Sequence, residues 1–372
     1  MDINGRSSQV GTDGPPTDAQ LMPPPPNRLL SRTATPYVTL DQAGNIARAL
    51  QTVVQRGEGL GVDSPKRAKK PNWDSYFDTR ENVEVPGRGS FQVYRAGKSG
   101  PVLFCLHGGG YTGLTWACMV SNLPLEQYQV VAMDMRGHGG TVCTDNTDYS
   151  VETLSKDVVE VARALYGPDG TCWPKIVLVG HSMGGALVAH IAASEEIHSL
   201  AAVVVIDVVE GTAMESLPHM KIVLEQRPRH FPSVEEAVCW ALSHHVVQSE
   251  EAALISMPSQ LRPATPPGQG FVWRTPLEDT CPYWEGWFKD LSRIFLSARV
   301  PKLLVLAGTD RLDTPLNIAQ MQGKFQLALI PAGHCIQEDE PFRLAEMILN
   351  FFNCFRLTTG GEKVGIPSKN KP

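Results

Sequence analysis

Ser182 stands two residues after Gly180 and two before Gly184, in the order Gly-His-Ser-Met-Gly. The run Ile176 to Gly180 before it reads as a buried strand, and the residues after Gly184 read as a helix. At such a strand-to-helix turn the G-x-S-x-G pattern strains the serine backbone and lifts its hydroxyl above a sheet. The glycines let neighbouring backbone pass without a clashing Cβ. The helix that follows aims free N–H groups and its positive end at the serine, which favours negative charge there. Packing asks for no hydroxyl at this position, whereas nucleophilic chemistry does. The competing reading, a tight turn with an incidental serine, loses weight from the strand before and the helix after.

A serine nucleophile needs a base placed downstream, at the end of a late strand. His334 meets that condition, directly after FQLALIPAG and before the last helix. His107 and His138 fall in upstream loops at the same edge and read as residues that shape the pocket. His181, beside the serine, reads as a packing and hydrogen-bonding residue. His244 and His245 are adjacent, which is poor metal geometry, and read as partly exposed helix residues. The oxyanion needs two backbone donors, worth on the order of 3–4 kcal/mol each in the transition state. LHGGGYTG, residues 106–113, supplies Gly109 as first choice with Gly110 beside it, and Met183 N–H is the other donor. For the acid, two regions compete: Asp310 or Asp313 in AGTDRLD, and Asp207 in VVIDVVEG. Aspartates also cap turns at such places, and the residues alone do not rank the two regions.

These groups need a scaffold that brings several strand ends to one edge. FQVYRAG, VLFCLHGGG, QVVAMDMRGHG, the run before Ser182, SLAAVVVIDVVEG, PKLLVLAGTDRLD and FQLALIPAGHC read as strands. Helical stripes at 151–167 and 341–354 alternate with them. That alternation predicts an α/β fold with a mostly parallel central sheet covered on both faces. Residues 212–300 break the alternation and read as an inserted helical cap. Within it, the Pro/Gly-rich stretch 258–270 is expected to be a mobile loop. Trp273, Trp284 and Trp287 follow it and admit two readings, cap core or partner contact. The domain expected from this pattern runs from 71 to 355. Residues 356–372 read as a flexible tail. Residues 1–70, with PPPP at 23–26, read as a mostly disordered arm that holds at most a short helix near 38–56.

Composition narrows the function classes. The 372 residues carry a net charge of -6, and residues 71–372 hold 24 Lys/Arg against 33 Asp/Glu. An acidic body argues against nucleic acid as the main ligand. SPKRAKK at 64–70 reads either as a nuclear import signal or as a solvated basic linker. The eight cysteines include no C-x-x-C pair, so reduced thiols and no metal are expected. No signal-peptide core and no apolar run of membrane-spanning length is evident, which predicts a cytoplasmic or nuclear protein without a membrane role.

The motifs DVVEGTAMESL after GHSMGG, YWEGWFKDLSRIFLS, and AGTDRLD…IAQMQGKFQLALI…GHCIQEDEP resemble the protein phosphatase 2A methylesterases of the α/β-hydrolase superfamily. The likeness runs from about 70 to 355. It implies a carboxylesterase that removes the methyl ester from the C-terminal leucine of the phosphatase catalytic subunit, with no cofactor. It also implies Asp207 as the acid, Ser182 as nucleophile and His334 as base, with a triad misaligned until the phosphatase binds. The stretch 258–280 lacks the acidic run associated with animal members of that family. Two other readings are a small-ester or lactone hydrolase of the same fold, and a phosphatase-binding inhibitory protein.

Overall fold

The computed structural model describes residues 71–168, 170, 172–308 and 312–358. The expected arm, its short helix, the basic stretch, Asp310 and residues 359–372 of the expected tail lie outside the described residues. The strands of the first half are β1 (Thr79–Val85), β2 (Gly89–Ala96), β3 (Val102–Leu106), β4 (Gln129–Met133), β5 (Val142–Cys143), β6 (Ile176–His181) and β7 (Leu200–Ile206). Helices α1 (Ala117–Val120), α2 (Val151–Tyr166) and α3 (Met183–Ser194) fall between them. An insertion then carries α4 (Glu210–Gln226), α5 (Val234–Ser243), α6 (Glu250–Ser256), the short strands β8 (Leu261–Pro263) and β9 (Phe271–Trp273), α7 (Trp284–Phe288) and α8 (Leu291–Ser297). The core pattern resumes with β10 (Lys302–Leu306), α9 (Thr314–Met321), β11 (Gln326–Leu329), α10 (Ile336–Asp339) and α11 (Pro341–Phe355).

The main sheet runs β1-β2-β4-β3-β6-β7-β10-β11, with β5 on the side of β2. The β1, β2 and β4 pairings are antiparallel, and every pairing from β4 through β3 to β11 is parallel. Every residue of β3, β6 and β10 is buried, as a strand covered on both faces must be. The pleat divides them between two cores. Val102, Phe104 and Leu106 face a layer that holds α2, α3 and α8, while Leu103 and Cys105 face α1, α6 and α11. Each such fully buried side chain contributes roughly 1.5–3 kcal/mol. Helix α3 is buried on nearly all sides because it packs at once against β6, β7, α2 and α8.

Two features depart from the sequence expectations. Strand β1 had no reading as a strand. Its first four residues are exposed and Arg80, Glu81 and Glu84 interrupt its apolar pattern, as suits an edge that must not recruit another strand. The stretch expected as a loop over 258–270 is partly a hairpin. Leu261 pairs with Trp273 and Pro263 with Phe271, and Phe271 also bridges to Phe231. Trp284 and Trp287 are buried in the same core layer as α2 and α3, their indole N–H groups donated to Thr280 Oγ1 and the Tyr149 carbonyl at 2.8 Å each.

Candidate active site

The parallel strands deliver their carboxyl ends to one edge. His107 and the glycines follow β3, Ser182 follows β6, Asp207 follows β7, and His334 lies five residues after β11. In an open α/β sheet the loops at this edge form the binding crevice.

Ser182 has φ 52° and ψ -119°, a strained backbone that only a tightly held turn maintains. Its N–H donates to the Ile206 carbonyl at 3.0 Å, and its carbonyl accepts Ala186 N–H at 3.0 Å. A Cβ on Gly180 would lie 2.1 Å from the Gly184 carbonyl oxygen, and one on Gly184 would lie 2.3 Å from that of Leu106. Both contacts are with backbone, so the turn exists only with glycine at both places.

His334 Nδ1–H donates to Asp207 Oδ2 at 2.8 Å, and Asp207 Oδ1 accepts Ala307 N–H at 3.0 Å. Asp207 is buried and sits at φ 52°, whereas the His334 side chain is 49% exposed. The bond through Nδ1 leaves Nε2 as the basic face. No hydrogen bond joins Ser182 Oγ to a described residue, His334 included. Apo sites often tighten such a contact only around substrate. Asp313, the alternative beside Asp310, is a helix cap: Oδ1 accepts Leu316 N–H at 3.0 Å and Oδ2 accepts the Ser292 hydroxyl at 2.5 Å.

The glycine loop lies against the serine. A Cβ on Gly108 would lie 3.2 Å from Ser182 Cβ. The N–H groups of Gly109 and of Met183, first residue of α3, have no hydrogen-bond partner among the described residues, as an oxyanion site requires. Gly110 does not qualify as the second candidate, because its N–H donates to His138 Nε2 at 2.9 Å. Its φ of 83° is the left-handed turn that makes this bond reachable.

Three buried histidines hold these loops in place as neutral rings. His138 also donates through Nδ1 to the Arg136 carbonyl, and burial lowers its pKa to about 4. His107 donates to the Gly108 carbonyl and accepts Met135 N–H, and burial holds it well below the ordinary value. His181 donates through Nε2 to the backbone carbonyl of His334 at 2.9 Å. Burial first, then the neighbouring His334, depress His181 to about 3.

The sequence did not single out four further contributors. Asp134 accepts Gly113 N–H at 2.7 Å, Gly140 N–H at 2.8 Å and the Gln92 amide at 2.9 Å, and burial raises its pKa to about 6. Glu338 accepts the Thr115 hydroxyl at 2.6 Å and ties the histidine segment to the segment after the glycine loop. Tyr111 takes the Cys335 thiol at 2.8 Å. Arg227 stacks on Trp273 beside Gly110. Asp134 carried a signal, a carboxylate between apolar residues in VVAMDM, whereas Glu338 stands among the polar residues of QEDE and carried none. Among the described residues no cluster of His, Cys, Asp and Glu could hold a metal, and no helix is long and apolar enough to cross a membrane.

A sequence model of the Alpha/beta hydrolase family matches residues 102–347. The chain is 47% identical over 282 residues to a Caenorhabditis elegans protein named "Probable protein phosphatase methylesterase 1", covering 75% of this chain and 76% of that one. It is 39% identical over 324 residues to the Homo sapiens protein phosphatase methylesterase 1, covering 75% and 83%. The Schizosaccharomyces pombe protein of the same name is 40% identical over 296 residues, covering 76% and 84%. Among solved structures, E-2-(acetamidomethylene)succinate hydrolase superposes with a TM-score of 0.63 at 20% identity, over 74% of this chain and 99% of that one. A Mycobacterium tuberculosis esterase superposes at 0.56 and 21% identity, over 74% and 92%. At that identity the structural likeness speaks for the fold alone.

Proposed function

The chain belongs to the protein phosphatase methylesterases of the α/β-hydrolase family, and from that membership we propose that it removes the methyl ester from the C-terminal leucine of the protein phosphatase 2A catalytic subunit. The observation that supports the reading is the 2.8 Å bond from His334 Nδ1 to Asp207 Oδ2, beside the strained turn of Ser182, whose N–H donates to the carbonyl of Ile206 just before Asp207.

In the proposed reaction His334 Nε2 takes the Ser182 proton as Oγ attacks the ester carbonyl. Gly109 and Met183 N–H groups receive the oxyanion, and Asp207 stabilises the imidazolium. The C–O bond to methoxide breaks, His334 delivers its proton, and methanol leaves an acyl-serine. Water then attacks with its proton passing to His334. Ser182 departs with that proton, and the leucine carboxylate is free. The chemistry needs no redox step.

A half-exposed base beside an unbonded nucleophile suits a site that the substrate protein completes. Covering His334 excludes water from the imidazolium and strengthens its pairing with Asp207. Removing one methyl ester is a small chemical difference, so selectivity rests on the wide surface of the folded partner. The test is Ser182→Ala incubated with methylated phosphatase, the tail being weighed by mass spectrometry. Demethylation should fall by about 10⁴-fold or more. Undiminished demethylation overturns the nucleophile assignment.

A further inference from the structure

Arg227 ends α4, its backbone N–H closing on the Leu224 carbonyl at 3.1 Å, and its side chain turns in under the cap. Its guanidinium carbon lies 3.7 Å from the centroid of the Trp273 ring. The indole is itself fixed, since its N–H donates to the Pro228 carbonyl at 2.7 Å. Nη1 lies 3.9 Å from where a Gly110 Cβ would stand, so the charge sits on the glycine loop one residue from the proposed oxyanion donor Gly109.

Three other arginines that are buried or part-buried are spoken for. Arg136 grips Asp157 through two nitrogens and Arg88 grips the same carboxylate. Arg274 donates to the Ser259 and Leu261 carbonyls. Arg227 makes no hydrogen bond and no ion pair with any described residue. Glu278, the carboxylate whose charge it feels, is exposed and not at ion-pair distance. A part-buried guanidinium is costly unless its donors find acceptors. Stacking occupies the ring face and leaves the donor edges, which match carbonyl or carboxylate oxygens in the guanidinium plane.

We propose that Arg227 is a specificity-determining residue, which binds oxygen acceptors of the phosphatase tail just before the esterified leucine as the tail crosses the glycine loop. This rests on the methylesterase reading above. The acceptor is either a main-chain carbonyl or an acidic side chain, and both present the same chemistry to the guanidinium.

The full-length protein and its Arg227→Met and Arg227→Lys variants are assayed on p-nitrophenyl acetate and on two synthetic peptides ending in leucine methyl ester. One peptide carries a carboxylate side chain among the residues preceding leucine, and the other carries the matching amide. The readout is the ratio of kcat/KM on peptide to kcat/KM on p-nitrophenyl acetate. In Arg227→Met this ratio should fall about 10–100-fold, mainly through KM. Arg227→Lys, with charge but no fork, should fall between. A fall confined to the acidic peptide assigns a side-chain carboxylate, and a fall with both assigns the main chain. A ratio within twofold of wild type for both peptides overturns the proposal. If Arg227→Met does not fold, the same ratio in Arg227→Lys decides. Where wild type turns over the methylated phosphatase but not the peptides, the same ratio is read on the phosphatase carrying the acidic or the amide tail, and a ratio within twofold of wild type there overturns the proposal. Wild type inactive on the methylated phosphatase as well overturns the methylesterase reading, and this proposal with it. Wild-type activity with an unaltered variant ratio overturns only the role of Arg227.

Discussion

Asp207 uses both carboxylate oxygens, one for His334 Nδ1 and one for Ala307 N–H. The second bond fixes the first: with Oδ1 anchored to backbone, Oδ2 cannot swing away from the ring. Asp207→Asn keeps the shape but places an amide where the imidazole must donate, which favours the wrong tautomer. Hydrolysis by that variant should drop about 10³–10⁴-fold with little change in melting temperature, measured by ester turnover beside a thermal scan. A variant within tenfold of wild type would remove Asp207 from the proposed triad. At this scale the sequence was legible where chemistry left a local signature. Ser182 sits at a glycine-flanked turn where packing asks for no hydroxyl, and His334 follows a late apolar strand by five residues, just before a short helix. Asp207 had no such mark, because an aspartate at a strand end looks the same whether it orients a histidine or, like Asp313, caps a helix. Gly109, the first choice, and Gly110 beside it look alike in sequence, because only the fold brings His138 to the Gly110 N–H.

At the scale of elements, β6 and α3 meet so closely that the loop after β3 passes against the turn. Gly184 is where they meet, with room for a hydrogen and nothing more beside the Leu106 and His107 carbonyls. Gly184→Ala must move backbone, since no flexible side chain stands in the way. The expected loss is about 2–3 kcal/mol of stability with activity abolished, read from urea unfolding and ester turnover. A fully active, equally stable Gly184→Ala would show that the turn can open. The central elements were readable because strands buried on both faces are continuously apolar and the helices between them are periodic. Strand β1 was not, since its partner β2 supplies the pairing its own pattern does not announce. Nor was the β8–β9 hairpin, whose three-residue strands sit on either side of a stretch of Pro and Gly.

Across the whole molecule, segments 223 residues apart are joined by the bond from Thr115 to Glu338. Thr115 also accepts the Gln337 amide at 3.0 Å, so one hydroxyl links the end of the glycine loop to the helix after His334. Glu338 is buried, and desolvation raises its pKa from 4.5 to about 8. Below 4.5 the folded and unfolded chains both hold the proton. Between 4.5 and 8 only the unfolded chain releases it, so stability declines by about 1.4 kcal/mol per pH unit until the folded group ionises as well. The buried histidines have the opposite sign. His138 at about 4 and His181 at about 3 contribute stability above 6.5, and that contribution is lost as pH falls below it. The two sets bracket a stability maximum near the ordinary histidine value. Glu338→Gln keeps an acceptor for Thr115 and removes the ionisation. From pH 6 to pH 8 the wild type should therefore lose about 2 kcal/mol more than the variant in urea unfolding. Equal losses in the two proteins would mean that Glu338 is already ionised in the folded state. The link between the two loops would then be a charged hydrogen bond, strengthened rather than weakened by alkali.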